Sequence, residues 1–150
     1  MSDLLESLKN DLQASDFTCI IQKNDQIYTS HERGVKPLLS WLDVGMDFSG
    51  YSAADRVVGN GAAFLYALLN IKEVYASVLS KSAAETLERY HIRVAYDVLV
   101  DTIQNRTGTG RCPIEDAVDG ETVATEALKK IRNRLAELAP LVRSATETSI

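Results

Sequence analysis

The residue types best suited to chemistry lie in one segment, NRTGTGRCPIED, at positions 105–116. It offers an amide, two guanidinium groups and two glycines that a ligand can approach closely: Asn105, Arg106, Gly108, Gly110 and Arg111. Open backbone N–H groups beside guanidinium groups bind anions such as phosphate. The segment therefore indicates an anion-binding loop, with a flexible surface loop carrying ordinary charges as the alternative.

The same segment contains a candidate nucleophile, the thiol of Cys112. Because Pro113 follows it, Cys112 is expected in the first turn of a helix that also carries Glu115 and Asp116. A helix N-terminus and nearby arginines lower the pKa of a thiol and activate it. A cysteine that only fills packing space is the alternative.

Positive charge also gathers in ERGVKPL, residues 32–38. The pattern places Arg33 and Lys36 at the start of a helix, where cations oppose the helix dipole. An anion held between them would explain this placement, and solvated side chains are the alternative.

Metal and cofactor chemistry is not indicated by the remaining residues. The two histidines, His31 and His91, are expected at the ends of a strand and a helix, and Cys19 and Cys112 form no Cys-x-x-Cys pair. A zinc site needs three or four such ligands. We therefore expect two reduced thiols, no metal and no cofactor.

Length and charge limit the class of protein. The 150 residues suit a single domain over residues 1–140, with a disordered tail over 141–150. A net charge of −5 argues against nucleic acid as a partner. No charge-free apolar run reaches the roughly 18 residues of a membrane span, and the N-terminus does not resemble a signal peptide. We expect a cytoplasmic protein without a membrane partner.

The elements that must position these residues alternate along the chain. The patterns predict a helix from Ser2, a hairpin from FTCIIQK to QIYTS, a helix in RGVKPLLSWLDVG, a strand in EVYASVL, a helix capped by Ser82 and Glu85, a strand in IRVAYDVLV and a last helix up to Pro140. Strand-helix-strand units require parallel neighbours, and the hairpin adds an antiparallel pair. The order therefore predicts an α/β fold with a mixed β-sheet between two layers of helices, a three-layer α-β-α arrangement.

The most apolar stretch, DRVVGNGAAFLYALLN, predicts a central helix over about residues 55–69, with Asp55 as its N-cap. Gly59 and Gly61 then lie inside the helix, which favours close packing against another backbone. The pair lacks the third glycine of a dinucleotide-binding loop and lies late in the predicted helix, so we do not expect a phosphate-binding loop there.

Four phrases together resemble the DUF1893 family of small bacterial proteins: SHERGVKPLL, AADRVVGNGAA, KEVYASVLS and NRTGTGRCPIED. The resemblance covers about residues 4–135, and it implies a fold similar to that of cytidine deaminases. In that fold a ligand cleft lies at the starts of the central helix and of the following one. Five residues would line it here: Asp55, Arg56, Ser80, Lys81 and Ser82.

The comparison with cytidine deaminases also implies what is missing. Those enzymes place His-x-Glu or Cys-x-Glu, and then Pro-Cys-x-x-Cys, at the two helix starts. This chain has SAADRVV and SKSAAE instead, which hold no thiolate or imidazole ligand. Zinc-dependent deamination is therefore not expected.

The hypothesis that follows is a metal-free, deaminase-like domain that binds a nucleotide- or phosphate-containing small molecule. One alternative is an enzyme of unknown mechanism that uses Cys112 as nucleophile or Asp55 as base. The other is an oligomeric scaffold without a ligand. We expect a homodimer, because isologous dimers are common.

Overall fold

A computed structural model describes residues 1–105 and 107–139 of the chain. Arg106 and residues 140–150 lie outside the described residues. Three predictions fall on them: the anion-binding charge of Arg106, the end of the last helix at Pro140, and the tail over 141–150.

The described residues form six helices and five strands. In chain order these are α1 (Asp3–Gln13), β1 (Cys19–Lys23), β2 (Gln26–Ser30), α2 (Lys36–Asp43), β3 (Ser52–Val58), α3 (Asn60–Leu68), β4 (Glu73–Ser80), α4 (Lys81–Arg89), β5 (Arg93–Val100), α5 (Pro113–Ala117) and α6 (Ala124–Leu138). None of these helices is long and apolar enough to cross a membrane.

The strands form one mixed sheet in the order β2-β1-β3-β4-β5. β1 is antiparallel to β2 and to β3, whereas β3, β4 and β5 are mutually parallel. The register places Cys19 opposite Asp55 and Asp55 opposite Ala76. The predicted hairpin and mixed sheet are confirmed.

Helices cover the sheet in two separate apolar clusters, as the three-layer arrangement requires. On one face, the leucines of α1, Leu5, Leu8 and Leu12, pack against three residues of the sheet, Ile20, Ala54 and Tyr75. The larger cluster is centred on α3, where Phe64, Leu65 and Tyr66 are fully buried between the sheet, α4 and α6. The α/β class predicted from the order of elements is therefore confirmed.

The predicted start of the central helix, at about residue 55, is wrong. Residues Ser52–Val58 form strand β3, and α3 begins only at Asn60, with Gly59 as its N-cap. Alanine and aspartate favour strands weakly, but β3 pairs with both β1 and β4, and this central position decides its conformation. Asp55 is therefore a strand residue and not a helix cap.

The start of α4 also differs from the prediction. The N-cap is Ser80, whose hydroxyl accepts a hydrogen bond from the Ala83 backbone N–H at 3.2 Å. Ser82 lies two residues later and donates its hydroxyl to Glu115, so Ser82 and Glu85 do not form the predicted capping box.

The last helix, α6, buries a narrow face. Ala127 and Ile131 are buried, whereas Val123 and Leu138 are 48% and 49% exposed. The predicted short helix α2 is confirmed, with Pro37 in its first turn and Gly45 behind it at φ +79°. Such a positive φ is easily reached only by glycine, so Gly45 ends the helix as predicted.

Candidate functional site

Two neighbouring cavities lie where β3 ends. The first has a volume of about 520 Å³ and the second about 490 Å³, and both are lined by Arg33, Gly34 and Val57. Ligands of α/β proteins bind outside the carboxyl ends of parallel strands, usually in cavities of about 300–1,000 Å³. Position and size therefore mark these two cavities as the candidate site.

The first cavity has a mostly apolar wall built from five parts of the chain. These parts are the start of α3, the segment after β5, α5, the end of α6 and the segment that leads into α2. Besides the three shared residues, the lining residues are Val35, Lys36, Gly59, Gly61, Ala62, Ile103, Gln104, Asn105, Cys112, Pro113, Ile114, Glu115, Leu135 and Leu138. The segment at 105–112 therefore reaches the first cavity through Asn105 and Cys112.

Two cations line this cavity and have no acidic partner among the described residues. Arg33 and Lys36 are both exposed and line its wall. Neither of them lies within 4.0 Å of a carboxylate among the described residues. Their positive charge is available to a ligand, as the sequence hypothesis for residues 32–38 requires.

Arg111 is placed differently from the sequence hypothesis. Its guanidinium group lies 3.4 Å from Asp119 and 3.7 Å from Asp116. The hydrogen bond to Asp119 raises the pKa of Arg111 above its usual range. The charge predicted to hold an anion is thus already balanced by the protein's own carboxylates.

The glycine-containing loop is closed by its own hydrogen bonds. The side-chain oxygen of Asn105 accepts a hydrogen bond from the Thr109 backbone N–H at 3.0 Å. The Asn105 backbone N–H donates to the Gly110 carbonyl oxygen. Gly108 has φ +71° and open space around it, so it serves the turn. Gly108 and Gly110 do not line the first cavity, and the anion cradle predicted for them stays a prediction.

A buried carboxylate joins the starts of α3 and α4. Glu115 of α5 is 3% exposed, and its Oε2 accepts from the Asn60 backbone N–H at 2.8 Å. Its Oε1 accepts from the Ser82 hydroxyl at 2.8 Å. Helix N-termini leave N–H groups unsatisfied and attract negative charge. Glu115 therefore occupies the position at the start of α3 that an external anion could otherwise take.

Gly59 and Gly61 make room for this insertion. A Cβ atom on Gly59 would lie 2.4 Å from Oε2 of Glu115, and one on Gly61 would lie 2.5 Å from Cγ2 of Ile114. The close packing predicted for the two glycines is confirmed, but the partners are side chains of α5 and not another backbone. The pair follows a strand directly, so the predicted late position inside a helix was wrong.

The sequence hypothesis did not single out Glu115. A signal existed, since Gly59, the N-cap of α3, has no side chain that could cap the helix. A carboxylate from another part of the chain was the missing partner, and Glu115 lies two residues after Pro113 on a helix that the sequence predicted.

The second cavity contains a row of buried polar groups. The Tyr66 hydroxyl donates to Oδ2 of Asp55 at 2.7 Å, and the Cys19 Sγ lies 3.3 Å from the same hydroxyl. Burial raises the pKa of Asp55 from 3.8 to about 7, and the Tyr66 hydrogen bond opposes this shift. Burial and the charge of Asp55 also raise the pKa of Cys19, so this thiol is a poor nucleophile.

Arg56 lines the second cavity, but three of its five side-chain N–H groups already have partners. They donate to the backbone carbonyl groups of Leu12, Ser15 and Phe17 at 2.7 to 2.9 Å. These bonds fix the connection between α1 and β1. The structure thus gives Arg56 a structural role, and ligand binding by it stays a prediction.

The three predicted ligand residues at the start of α4 line neither cavity. Ser80 is fully buried as the helix cap, Lys81 pairs with Asp101 at 2.7 Å, and Ser82 contacts Glu115. Among the described residues, no three His, Cys, Asp or Glu side chains are grouped so that they could hold a metal ion.

These observations define a small α/β protein with a five-stranded mixed sheet and a two-part cleft at the end of β3. The family model for TM1506, a domain of unknown function (DUF1893), matches residues 7–135. The chain therefore belongs to the DUF1893 family, as the four quoted phrases predicted.

The fold is shared with a protein of known structure. The crystal structure of a DUF1893 family protein, TM1506 from Thermotoga maritima, is similar with a TM-score of 0.80 and 22% sequence identity. The similarity covers 91% of this chain and 92% of that chain. None of the curated proteins matches this chain.

Proposed function

We propose that this protein binds a small nucleotide- or phosphate-containing molecule in the first cavity. The observation that carries the proposal is the pairing of a mostly apolar wall with two cations, Arg33 and Lys36, that have no carboxylate partner among the described residues. An apolar wall accepts a flat or hydrophobic body, and a few convergent charges fix its orientation. Arginine and lysine are the usual partners of phosphate.

The deaminase-like part of the hypothesis remains a proposal with one refinement. The two helix starts named by the resemblance are at Asn60 and Lys81 in the structure, and Glu115 bridges them. The groups offered there are amides, hydroxyls, one ammonium and one carboxylate. This set is unlike the thiolate and imidazole ligands of zinc, so the proposal includes no zinc-dependent deamination.

Removal of the two cations tests the proposal. The double variant Arg33→Met, Lys36→Met is expected to bind nucleoside monophosphates about 10-fold or more weakly, because charge-assisted bonds to phosphate are lost. Titration calorimetry with a nucleoside monophosphate and with inorganic phosphate measures the effect. Both affinities should also fall as salt is added.

A matched control removes the same charge elsewhere. Arg89 and Lys129 are exposed cations that line neither cavity, so Arg89→Met, Lys129→Met should leave the affinity unchanged. Equal weakening by both double variants would show that only net charge matters. Absence of binding by the wild-type protein at millimolar nucleotide would contradict the proposal directly.

The nucleophile alternative has less support. Cys112 lines the first cavity and is the N-cap of α5, directly before the first turn in which it was predicted, but none of the hydrogen bonds of the described residues involves its thiol. A nucleophilic cysteine needs a base within hydrogen-bond reach. Cys112 therefore serves better as a reporter, since a bound ligand should slow its alkylation.

The homodimer stays a proposal, and the edge strand β5 is the surface that suits it. Tyr96, Val98 and Leu99 on this strand are 46%, 50% and 40% exposed. β5 is an edge of the sheet, so its open side can pair with a strand of a second copy. We expect light scattering to give twice the chain mass, and Val98→Lys to favour the monomer. A monomeric wild-type protein at high concentration would contradict this.

A further inference from the structure

We infer that the second cavity is the part of the cleft that recognises the base of the ligand, and that Asp55 there accepts hydrogen bonds from an N–H-rich edge such as that of guanine. This inference rests on the proposed function, because the anionic part of the same ligand would lie on Arg33 and Lys36. Its basis is the charge around the cavity, the free acceptor capacity of Asp55 and the contacts that hold this carboxylate in place.

The charges around the second cavity favour hydrogen-bond donors. Three carboxylates line it, those of Asp16, Glu32 and Asp55. Of the two arginines in its wall, Arg56 is held by three backbone carbonyl groups, as described above. Arg33 belongs to both cavities, so it lies where the anionic and the donor-rich parts of one ligand would meet.

Asp55 has acceptor capacity that the protein does not use. It is only 7% exposed, yet it makes no ion pair among the described residues. Tyr66 donates to Oδ2, and the backbone N–H groups of Val57, at a long 3.4 Å from Oδ1, and of Arg56 also act on the carboxyl group. A carboxylate has about four acceptor positions, so this one can accept further hydrogen bonds. A ligand with N–H groups would complete this set.

The protein holds this carboxylate in a fixed orientation. β3 is paired on both sides, so the backbone of Asp55 is rigid. Tyr66 donates to it from α3, and Cys19 of β1 lies against the same phenol oxygen. A group oriented by contacts from two other elements suits recognition, because little freedom is lost when a ligand binds.

The chemistry of a carboxylate selects among bases. The guanine edge presents two neighbouring donors, N1–H and the N2 amine, and both can donate to a carboxylate. Hypoxanthine lacks the amine, and adenine presents an acceptor beside its amine. A site built to accept such donors discriminates strongly against the analogue that lacks one. GMP should therefore bind more tightly than IMP or AMP.

Titration calorimetry with GMP, IMP and guanosine at about pH 8, above the pKa of about 7 to which burial raises Asp55, tests the inference on the wild-type protein. We expect GMP to bind about 10-fold to 100-fold more tightly than IMP, the range of one bond to a charged acceptor. Asp55→Asn should remove this preference, because an amide presents one donor and one acceptor. The double variant Arg89→Met, Lys129→Met, whose residues line neither cavity, should keep the preference for GMP.

The three probes separate failure of the inference from failure of the proposed function. Equal affinities for GMP and IMP, both weakened by Arg33→Met, Lys36→Met, would overturn the inference and leave the proposed function standing. Asp55-dependent binding of guanosine, with no gain from the phosphate of GMP, would support the inference and overturn the proposed function. Absence of binding of all three at millimolar concentration would overturn both.

Discussion

Replacing Glu115 by alanine is expected to lower the free energy of unfolding by about 3 kcal/mol or more. The change removes a buried carboxylate and leaves two groups without their acceptor, the Asn60 backbone N–H and the Ser82 hydroxyl. A buried polar group without a partner costs about 1–3 kcal/mol, and the emptied volume adds to this cost. Urea unfolding, followed by the fluorescence of the single tryptophan, Trp41, measures the loss.

The neighbouring carboxylate provides the control. Asp116 lies next to Glu115 in α5, but its side chain is 56% exposed and pairs with Arg111 and Arg134 at 3.6 to 3.7 Å. Ion pairs on the surface contribute at most about 1 kcal/mol, so Asp116→Ala should cost less than that. Equal losses in the two variants would mean that Glu115 stabilises only α5 itself.

Glu115→Gln separates shape from charge. The amide oxygen can accept from Asn60, and the amide nitrogen can donate to the oxygen of Ser82, so both neighbours keep a partner. What is lost is the attraction between a negative charge and the N-terminus of α3, about 0.3–2 kcal/mol. A loss as large as that of the alanine variant would contradict the assignment of these two hydrogen bonds.

Local patterns were enough to predict most of the fold. The hairpin, α1, α2, β4 and β5 each carry their own periodicity or turn residues, and the structure confirms them. Residues 52–58 could not be assigned in this way, because SAADRVV has no strong strand preference. Its conformation comes from pairing with β1 and β4, and a single segment does not reveal which neighbours it will have.

The candidate site shows the same division between local and distant contacts. The sequence predicted Lys36, Asn105 and Cys112, which the structure brings to the first cavity, because each belongs to a conspicuous local segment. Glu115 contacts a residue 55 positions away, and Tyr66 reaches Asp55 only after α3 folds onto the sheet. Such pairs leave no periodic trace in the sequence.

Stability is expected to decrease as the pH rises through the range in which Asp55 ionises. Burial raises its pKa from 3.8 to about 7 in the folded protein, whereas an unfolded chain ionises aspartate near 3.9. The folded state therefore holds a proton that the unfolded state releases, and between about pH 4 and pH 7 the free energy of unfolding falls. Above this range both states are ionised, and the contribution of Asp55 becomes constant.

The variant Asp55→Asn isolates this contribution. Asparagine still accepts from the Tyr66 hydroxyl but cannot ionise. The difference in free energy of unfolding between the variant and the wild-type protein should therefore shift by about 2–3 kcal/mol in favour of the variant between roughly pH 5 and pH 8. The groups that face Asp55 from β1 and α3, Cys19 and Tyr66, have raised pKa values and stay neutral up to this pH. Urea unfolding at several pH values provides the two curves.

Glu32→Gln is the control for the pH series. Glu32 lines the same cavity but is exposed, so its removal should leave the pH dependence of the wild-type protein in place. Parallel curves for the wild-type protein and Asp55→Asn would show that the carboxyl group titrates normally in the folded state. In that case Asp55 would be solvated, and the argument that it is held ready for a donor-rich ligand would lose its physical basis. Curves that diverge up to about pH 7 and then run parallel would show that Asp55 stays buried after it ionises. Burying the charged carboxylate then costs free energy, and a bound ligand that donates N–H groups to it would offset that cost.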